Sequence, residues 1–248
     1  MARRKSLAFL DVGQGDCFVA DTKSGAIIFD GGSSSEDQVG RYRILPYMKY
    51  LGYQKIQIAV ISHMDIDHYS GIKELLEMGK IKYLGLPEIP KDETMKKIIG
   101  IAKKRGTTIF YLSRGRQITT KDGSLKVLHP QKNSQMEKNA ASLVMQGKIL
   151  GYRVLLTGDV EKEGEEELLS EELERADILK VAHHGSKNST SNEFLQKVQP
   201  KQTVISCGKQ NRYGHPHLET IHRLQTYHTK IYRTDRSGAI IFFKRRDG

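Results

Sequence analysis

Hydrophobic and polar positions alternate in short blocks along this chain of 248 residues. The longest apolar runs, such as 239–243, are strand-sized. None approaches the roughly 18 residues that a membrane helix needs. Residues 6–12 and 16–21 read as strands around a Gly13-Gln14-Gly15 turn, and 26–30 as a third strand. The run 56–62 is almost continuously apolar, as a strand buried on both faces should be. Helical spacing covers 39–51, 71–78 and 93–105, with further strands at 81–86 and 108–112. The second half has the same style. Strands are expected at 125–128, 142–146, 153–157, 178–182, 203–206, 231–233 and 239–243. Helices are expected at 161–174, 192–198 and 218–227. Strand-rich ends with βα units between them predict one α/β domain over 1–248, two sheets flanked by helices.

Composition narrows the class. Hydrophobic residues make up 38% of the chain, enough for a core, which excludes wholesale disorder. Two cysteines, Cys17 and Cys207, cannot form a disulfide scaffold. Both lie in strand-like segments and read as small apolar residues, with a single bridge between them left open. The start, Met1-Ala2-Arg3-Arg4-Lys5, is basic, but no apolar signal region follows it. The formal charge is +11 and unevenly spread. Residues 161–175 hold eight glutamates against Lys162 and Arg175, a net −6 that leaves +17 on the rest. From Lys209 onward there are nine Lys/Arg and three acids. Such a surface suits a polyanion, either nucleic acid or an anionic membrane. The plain alternative is solubility from lysine-rich helices.

Chemistry concentrates in the histidines, six of nine in three short clusters. Ser62-His63-Met64-Asp65-Ile66-Asp67-His68 follows the buried strand directly. Two imidazoles and two carboxylates there are ordinary ligands for divalent cations. Placing four such groups at the end of an apolar strand without a cation is costly. Leu155-Leu156-Thr157-Gly158-Asp159 sets a carboxylate just past a second buried strand, where it can bridge two metals. Lys180-Val181-Ala182-His183-His184-Gly185-Ser186 adds adjacent histidines. Side chains alternate along a strand, so both can face one site only if the strand has ended. One is read as a ligand and the other as a substrate contact or packing residue. Asp11, Asp16 and Asp30 flank strands and are read as carboxylates that orient the ligands, with Asx turns the competing reading. His129, His222 and His228 are assigned to structure or surface.

His63-x-Asp65-x-Asp67-His68, Gly158-Asp159 and a late histidine resemble the metallo-β-lactamase superfamily. Further segments resemble its ComEC-like branch, the C-terminal hydrolase domain of competence DNA-uptake proteins. They are Phe9-Leu10-Asp11-Val12-Gly13-Gln14-Gly15-Asp16, Asn139-Ala140-Ala141-Ser142-Leu143-Val144, Val181 to Ser186, and Asn211-Arg212-Tyr213-Gly214-His215-Pro216-His217. The resemblance covers essentially the whole chain. It implies an αββα four-layer sandwich with two mixed sheets, and a hydrolase holding two divalent metal ions at one edge. By position, His63, Asp65 and Asp159 hold one ion. Asp67, His68, Asp159 and one of His183 and His184 hold the other, with His183 preferred because it ends the strand. Two departures from the wider superfamily fit the branch. Asp65 stands where a histidine is usual, and the histidine expected before Gly158-Asp159 is missing, its place taken by 139–142. The site is therefore more anionic and oxygen-rich, which suits Mn²⁺ or Mg²⁺ better than an all-imidazole site, with Zn²⁺ also open.

The implied activity is a phosphodiesterase or nuclease acting on DNA, either single-stranded or being degraded as in DNA uptake, in which water between the cations attacks phosphorus with Asp67 among the catalytic groups. His215 is the candidate proton donor to the leaving oxygen. Asn139, Ser142, Ser186, Asn188, Asn211, Arg212, Tyr213 and His217 are candidate phosphate or substrate contacts. Two other functions compete: hydrolysis of a small phosphodiester or phosphocholine-type ester, and DNA binding with a vestigial site. The two departures point away from a lactamase. Localisation follows the parent protein. A stand-alone chain without a signal region is expected in the cytoplasm. A domain cut from a ComEC-type protein, beside a membrane channel domain, is expected on the outer face of the cytoplasmic membrane.

Overall fold

The computed structural model describes residues 4–136, 139–171 and 173–244. The basic start at 1–3, Glu172 of the expected acidic helix and the last four residues of the basic tail lie outside it. Two seven-stranded sheets carry the described chain. The first has the order β14 (Ile240–Phe243), β1 (Ser6–Phe9), β2 (Phe18–Thr22), β3 (Gly25–Phe29), β4 (Ile56–Val60), β5 (Ile81–Pro87), β6 (Thr108–Leu112). Its first pairings are antiparallel, and those from β3 to β6 are parallel. The second has the order β13 (Lys230–Arg233), β12 (Gln202–Ile205), β11 (Ile178–Lys180), β10 (Tyr152–Leu156), β9 (Val144–Ile149), β8 (Gly123–His129), β7 (Gln117–Thr120). Here β7 to β10 are antiparallel and β10 to β13 parallel.

Three apolar clusters define four layers. The middle one joins Leu7, Phe9, Phe29 and Val60 of the first sheet to Val127, Met145, Leu156 and Val204 of the second, so the sheets pack face to face. On the outer side of the first sheet lie α1 (Leu45–Tyr50), α2 (Ile66–Glu77) and α3 (Glu93–Lys104), contributing Met48, Ile72, Leu76 and Ile98. Outside the second lie α4 (Lys162–Leu169), α5 (Asn192–Val198) and α6 (Leu218–Thr226), with Leu168, Phe194 and Leu224 buried. Each fully buried Leu, Ile or Phe side chain contributes about 1.5–3 kcal/mol. This is the expected αββα sandwich.

Some elements differ from the sequence reading. The expected helix 39–51 is a wide turn at Gly40–Ile44 continuing into α1, with Pro46 in the first turn, where its missing N–H costs nothing. The acidic helix is shorter than expected and ends at Leu169. Strand β7 was not legible, because Gln117-Ile118-Thr119-Thr120 has a single apolar residue. Helix α2 starts at Ile66, not 71, so Asp67 and His68 stand on its first turn.

That early start depends on close backbone approach. A Cβ on Gly32 would lie 2.6–2.7 Å from Ile66 O, Asp67 C and His68 N. Gly32→Ala is therefore expected to cost about 1–3 kcal/mol by overpacking. Gly100 of α3 has nothing within 4 Å of such an atom. Gly100→Ala should stabilise by about 0.5–1 kcal/mol through helix propensity. Urea unfolding of both variants checks the pair, and equal shifts would contradict the packing argument.

Candidate metal centre

Strands of both sheets deliver the site residues at their C-terminal ends, the usual place for ligands in parallel α/β sheets. Asp30 follows β3, and Ser62 and His63 follow β4. Asp159 follows β10, His183 and His184 follow β11, and Ser206 follows β12. Asp16, just before β2, is tied in by its own backbone: its N–H donates to Asp67 O (3.1 Å) and its carbonyl accepts from Gly32 N (3.1 Å).

Asp30 organises the histidines of the first sheet. Its Oδ1 accepts from Ser62 N (2.7 Å), and its Oδ2 accepts from Ser62 Oγ (2.8 Å) and His68 Nδ1 (2.9 Å). Because Ser62 Oγ gives its proton to Asp30, it accepts from His63 Nδ1 at 3.0 Å. His184 Nδ1 donates to Ser206 O at 2.9 Å. With each Nδ1 a donor, this network assigns the tautomers and leaves the three Nε2 atoms for the site. Those three Nε2 atoms and Asp159 Oδ1 are buried and lack a hydrogen-bond partner. His68 Nε2 lies 3.1 Å from Asp159 Oδ2, and His184 Nε2 lies 3.3 Å from Asp67 Oδ2 and 3.4 Å from Asp159 Oδ2.

The charges are strongly coupled. Burial alone would lower the pKa of His68 and His184, but the carboxylates of Asp159, Asp30 and Asp16 hold both well above the ordinary range, so a cation that takes their Nε2 atoms must displace a proton from each. His63, buried beside the charged His68, is pushed down to about 3. Asp159 resists burial through His68 and His184 and stays well below the usual carboxylate range. Burial dominates at Asp30 and raises its pKa. Asp16, equally buried, is lowered to about 2, chiefly by Lys180, whose ammonium is ion-paired to it and itself raised.

A cation fits this donor set. His63, His68 and Asp159 can bring one donor atom each within 4.8 Å of one another, as can Asp67, His68 and His184. Two further groups, Asp16–Asp30–His68 and Asp16–Asp159–His184, use Asp16, which Lys180 already neutralises. Partnerless buried imidazole and carboxylate atoms are costly without an ion.

Between the adjacent histidines the geometry favours the second. His183 (φ 47°) and His184 (φ 53°) are both left-handed, so the chain turns sharply where the strand has ended. Such backbone costs about 1–3 kcal/mol per residue and tends to mark functional sites. His184 is buried in the cluster. His183 is turned outward, its Nδ1 on Glu161 Oε1 (2.9 Å) and its Nε2 3.8 Å from Asp159, and it enters none of the four donor groups. Asp65, with its side chain 38% exposed, lies 3.7 Å from His63 Nε2.

The remaining candidates divide. Asp16 and Asp30 touch site histidines, whereas Asp11 Oδ1 accepts from Gly13 N (3.2 Å) in a local turn. Ser142 is buried and its Oγ accepts from Asp159 N (3.3 Å), so it braces the loop rather than facing substrate. Asn211 uses both ends of its amide on its own loop: Nδ2 donates to Gly208 O and His215 O, and Oδ1 accepts from Tyr213 N and His215 N. Ser186 is buried and caps the Asn188 N–H at 3.3 Å. Asn139 and Asn188 line a cavity of about 650 Å³ with Asp65, Glu161, Lys162 and Glu163. His215 is half-buried, its ring 5.4 Å from His183 and 6.1 Å from His184, with a pKa lowered to about 4 by burial and the neighbouring imidazoles. His217 Nδ1 accepts from Lys187 N at 3.1 Å. Sequence reasoning missed Lys180, Ser62, Ser206 and Glu161. Lys180 was findable, since a lysine inside Ile178-Leu179-Lys180-Val181-Ala182 needs a buried partner.

Among the described residues, no helix is long and apolar enough to cross a membrane. Residues 10–209 match the family model of the metallo-beta-lactamase superfamily. ComE operon protein 3 of Bacillus subtilis (strain 168) is 37% identical over 96% of this chain and 33% of its own length. Competence protein ComA of Neisseria gonorrhoeae is 30% identical over 96% of this chain and 32% of its own length. The chain thus spans about a third of the length of these curated relatives. The metallo-beta-lactamase fold protein YhfI from Bacillus subtilis superposes with a TM-score of 0.63 at 13% identity, covering 95% of this chain and 99% of that one. The histidine- and aspartate-bearing loops, the four layers and these relatives agree: the chain belongs to the metallo-beta-lactamase superfamily.

Proposed function

We propose that this chain is a metal-dependent phosphodiesterase that degrades DNA. The observation that carries the reading is the convergence of three buried, partnerless imidazole Nε2 atoms with Asp159 Oδ1. The charge of +17 outside the acidic segment and the relatives named for competence support a DNA substrate. His63, Asp65 and Asp159 would hold one ion, and Asp67, His68, His184 and Asp159 the other. The carboxylate share of this set suits Mn²⁺, with Zn²⁺ and Mg²⁺ the alternatives. When bound, the ions lower the pKa of water and offset charge that builds on phosphate oxygens.

The chain's own residues do the rest. Asp30, directly and through Ser62, keeps His68 and His63 presenting Nε2. Lys180 keeps Asp16 from drawing a cation to itself. His215 is neutral at pH 7, so it meets the leaving oxygen as a hydrogen-bond donor, and an arriving phosphate raises its proton affinity. One observation favours a second reading. The charged residues lining the cavity beside the site are Asp65, Glu161 and Glu163 against Lys162 alone, which suits the cationic choline group of a phosphocholine-type ester.

Purified protein is expected to degrade DNA with Mn²⁺, with activity falling steeply between 50 and 200 mM salt. Asp67→Ala and Asp159→Ala should reduce this to background in a gel-based nuclease assay. Intact DNA with Mn²⁺, Mg²⁺ and Zn²⁺, alongside cleavage of a phosphocholine ester, would establish the second reading instead. Elemental analysis separates the paired histidines: His184→Ala should lose bound metal, whereas His183→Ala should keep it. Stripping the ions with a chelator should lower the melting temperature by roughly 5–10 °C, from about 2.7 kcal/mol of binding stabilisation at a hundredfold excess over Kd. An unchanged melting curve would contradict a metal-binding cluster.

A further inference from the structure

Strand direction divides the charge of this chain between two ends. The parallel strands β3 to β6 and β10 to β13 run toward the metal centre and so begin at the opposite end. Lys55 precedes β4, Lys201 precedes β12, and Lys230 opens β13. Helix α3, running the other way, ends in Lys103 and Lys104. The β2–β3 and β7–β8 turns bring Lys23 and Lys121 to the same end. At about 3.3 Å per residue, the length of β4 and its flanks sets Lys55 roughly 25 Å from His63.

The two sheets are joined at this end. Lys23 N–H donates to Asp122 Oδ2, Lys121 N–H donates to Ser24 Oγ (3.0 Å), and Tyr152 Oη donates to Phe243 O (3.0 Å). The backbones of Lys23 and Lys121 thus hold the turns while their side chains stand exposed. Nearby acids are taken up internally: Asp21 by Lys5 (2.8 Å), Asp122 by Lys244 (3.4 Å) and Asp177 by Lys201 (3.1 Å). Against these cations the same end exposes Glu77, 3.9 Å from Lys73, and Glu174. Apolar side chains are exposed beside the cations. Ile241 and Phe243 alternate outward on the edge strand β14, and the Arg4 guanidinium carbon lies 5.7 Å from the Phe243 ring centre. Tyr50, at the end of α1, is exposed as well. Tyr53 ties that end of α1 to the first sheet: its Oη accepts from Lys5 Nζ (3.0 Å) and donates to Asp21 Oδ1 (2.6 Å).

A basic surface draws in polyanions of any kind, and the exposed apolar groups narrow the choice. A nucleic acid resting here would be held on the far side of the molecule from the metal centre, and it has no place for an exposed aliphatic side chain. A phospholipid surface is broad and flat, offers anionic headgroups in number, and takes rings and aliphatic groups at the boundary of its acyl chains. The cations come from the ends of both sheets and of α3, which matches a plane of headgroups better than a single groove. We propose that the end opposite the metal centre docks on an anionic phospholipid surface, with its lysines on the headgroups and Ile241, Phe243 and Tyr50 in the interfacial layer. The metal centre then faces away from the lipid and stays open to substrate. The proposal does not draw on the phosphodiesterase reading, because the face it uses carries no site residue.

The test is sedimentation of the full chain with vesicles of phosphatidylcholine alone, or of phosphatidylcholine with an equal part of phosphatidylglycerol. The protein should sediment with the anionic vesicles and stay behind with the neutral ones, and salt should release it. The double reversal Lys23→Glu with Lys121→Glu should weaken binding about 30-fold or more, at roughly fivefold per basic residue. Arg41→Glu with Arg43→Glu makes the same change in net charge in the turn packed near Gly31, at the site end, and should leave binding within about threefold of wild type. The chain has no tryptophan, so Phe243→Trp supplies a single reporter whose emission should shift to the blue on anionic vesicles. No sedimentation with anionic vesicles, equal losses in the two double variants, or an unshifted tryptophan would each overturn the proposal. So would binding of an oligonucleotide, without added metal, that Lys23→Glu with Lys121→Glu abolishes while vesicles go unbound, because the face would then belong to nucleic acid.

Discussion

The buried carboxylate of Asp30 is the constraint on which the site depends. It lies with no exposure between two sheets, and burying an ion costs several kcal/mol unless donors meet it. The donors that meet it are Ser62 N–H, Ser62 Oγ–H and His68 Nδ1–H. Each of these does a second job. The Ser62 N–H locks the end of β4 against the end of β3. The Ser62 hydroxyl, by giving its proton to Asp30, must accept from His63. The His68 bond fixes a ring on the first turn of α2. One carboxylate thus orients two imidazoles and the junction of a strand with a helix. Removing a partner of this kind typically weakens metal binding 10- to 100-fold in metalloproteins.

A second carboxylate shows how the cluster tolerates its own charge. Asp16, Asp30, Asp67 and Asp159 crowd the same end of the sheets. Lys180, buried on β11, is paired with Asp16 from the opposite sheet. The pair works as an internal counter-charge and as a tie across the sandwich. Asp16 also touches His184 and His68, at 3.5 and 3.8 Å, so the lysine's influence reaches both rings. Breaking one partner of a buried pair is far more damaging than replacing both, because the survivor is left charged and alone. The charge balance around Asp67, His68 and Asp159 therefore depends in part on a lysine whose own partner is Asp16.

The layers and most strands were legible because apolar blocks of strand length leave few alternatives. The four-layer order and the two-metal expectation came from the motif resemblance rather than periodicity. Residues 66–68 were read as loop, because the helix they start is permitted by Gly32, thirty-odd positions away, rather than by local propensity. His183 was preferred because it ends the strand; in the fold the strand ends at Lys180, and two left-handed residues then send His184 inward and His183 to Glu161. Ser142 and Asn211 were read as substrate contacts from their place in motifs. Their hydrogen bonds are to the backbone, which a sequence does not display.

The uneven charge also takes a structural meaning. Much of the acidic helix is committed to the protein itself. Glu167 and Glu171 hold Arg114 at 2.8 and 2.6 Å, and Glu167 lies 3.3 Å from buried His129. Glu165 accepts the N–H groups of Thr190 and Ser191, and so fastens the segment after the paired histidines. These glutamates are not a repelling face in the sense that their count suggests. The acids left at the site are Asp65, Glu161 and Glu163 along the cavity, while the loop of 211–217 presents Arg212. The rim is therefore basic on the loop side and acidic along the cavity. Net charge governs how readily a charged ligand approaches a protein surface, whereas the local distribution of charge governs how it lies there, so the two belong to different steps of an encounter.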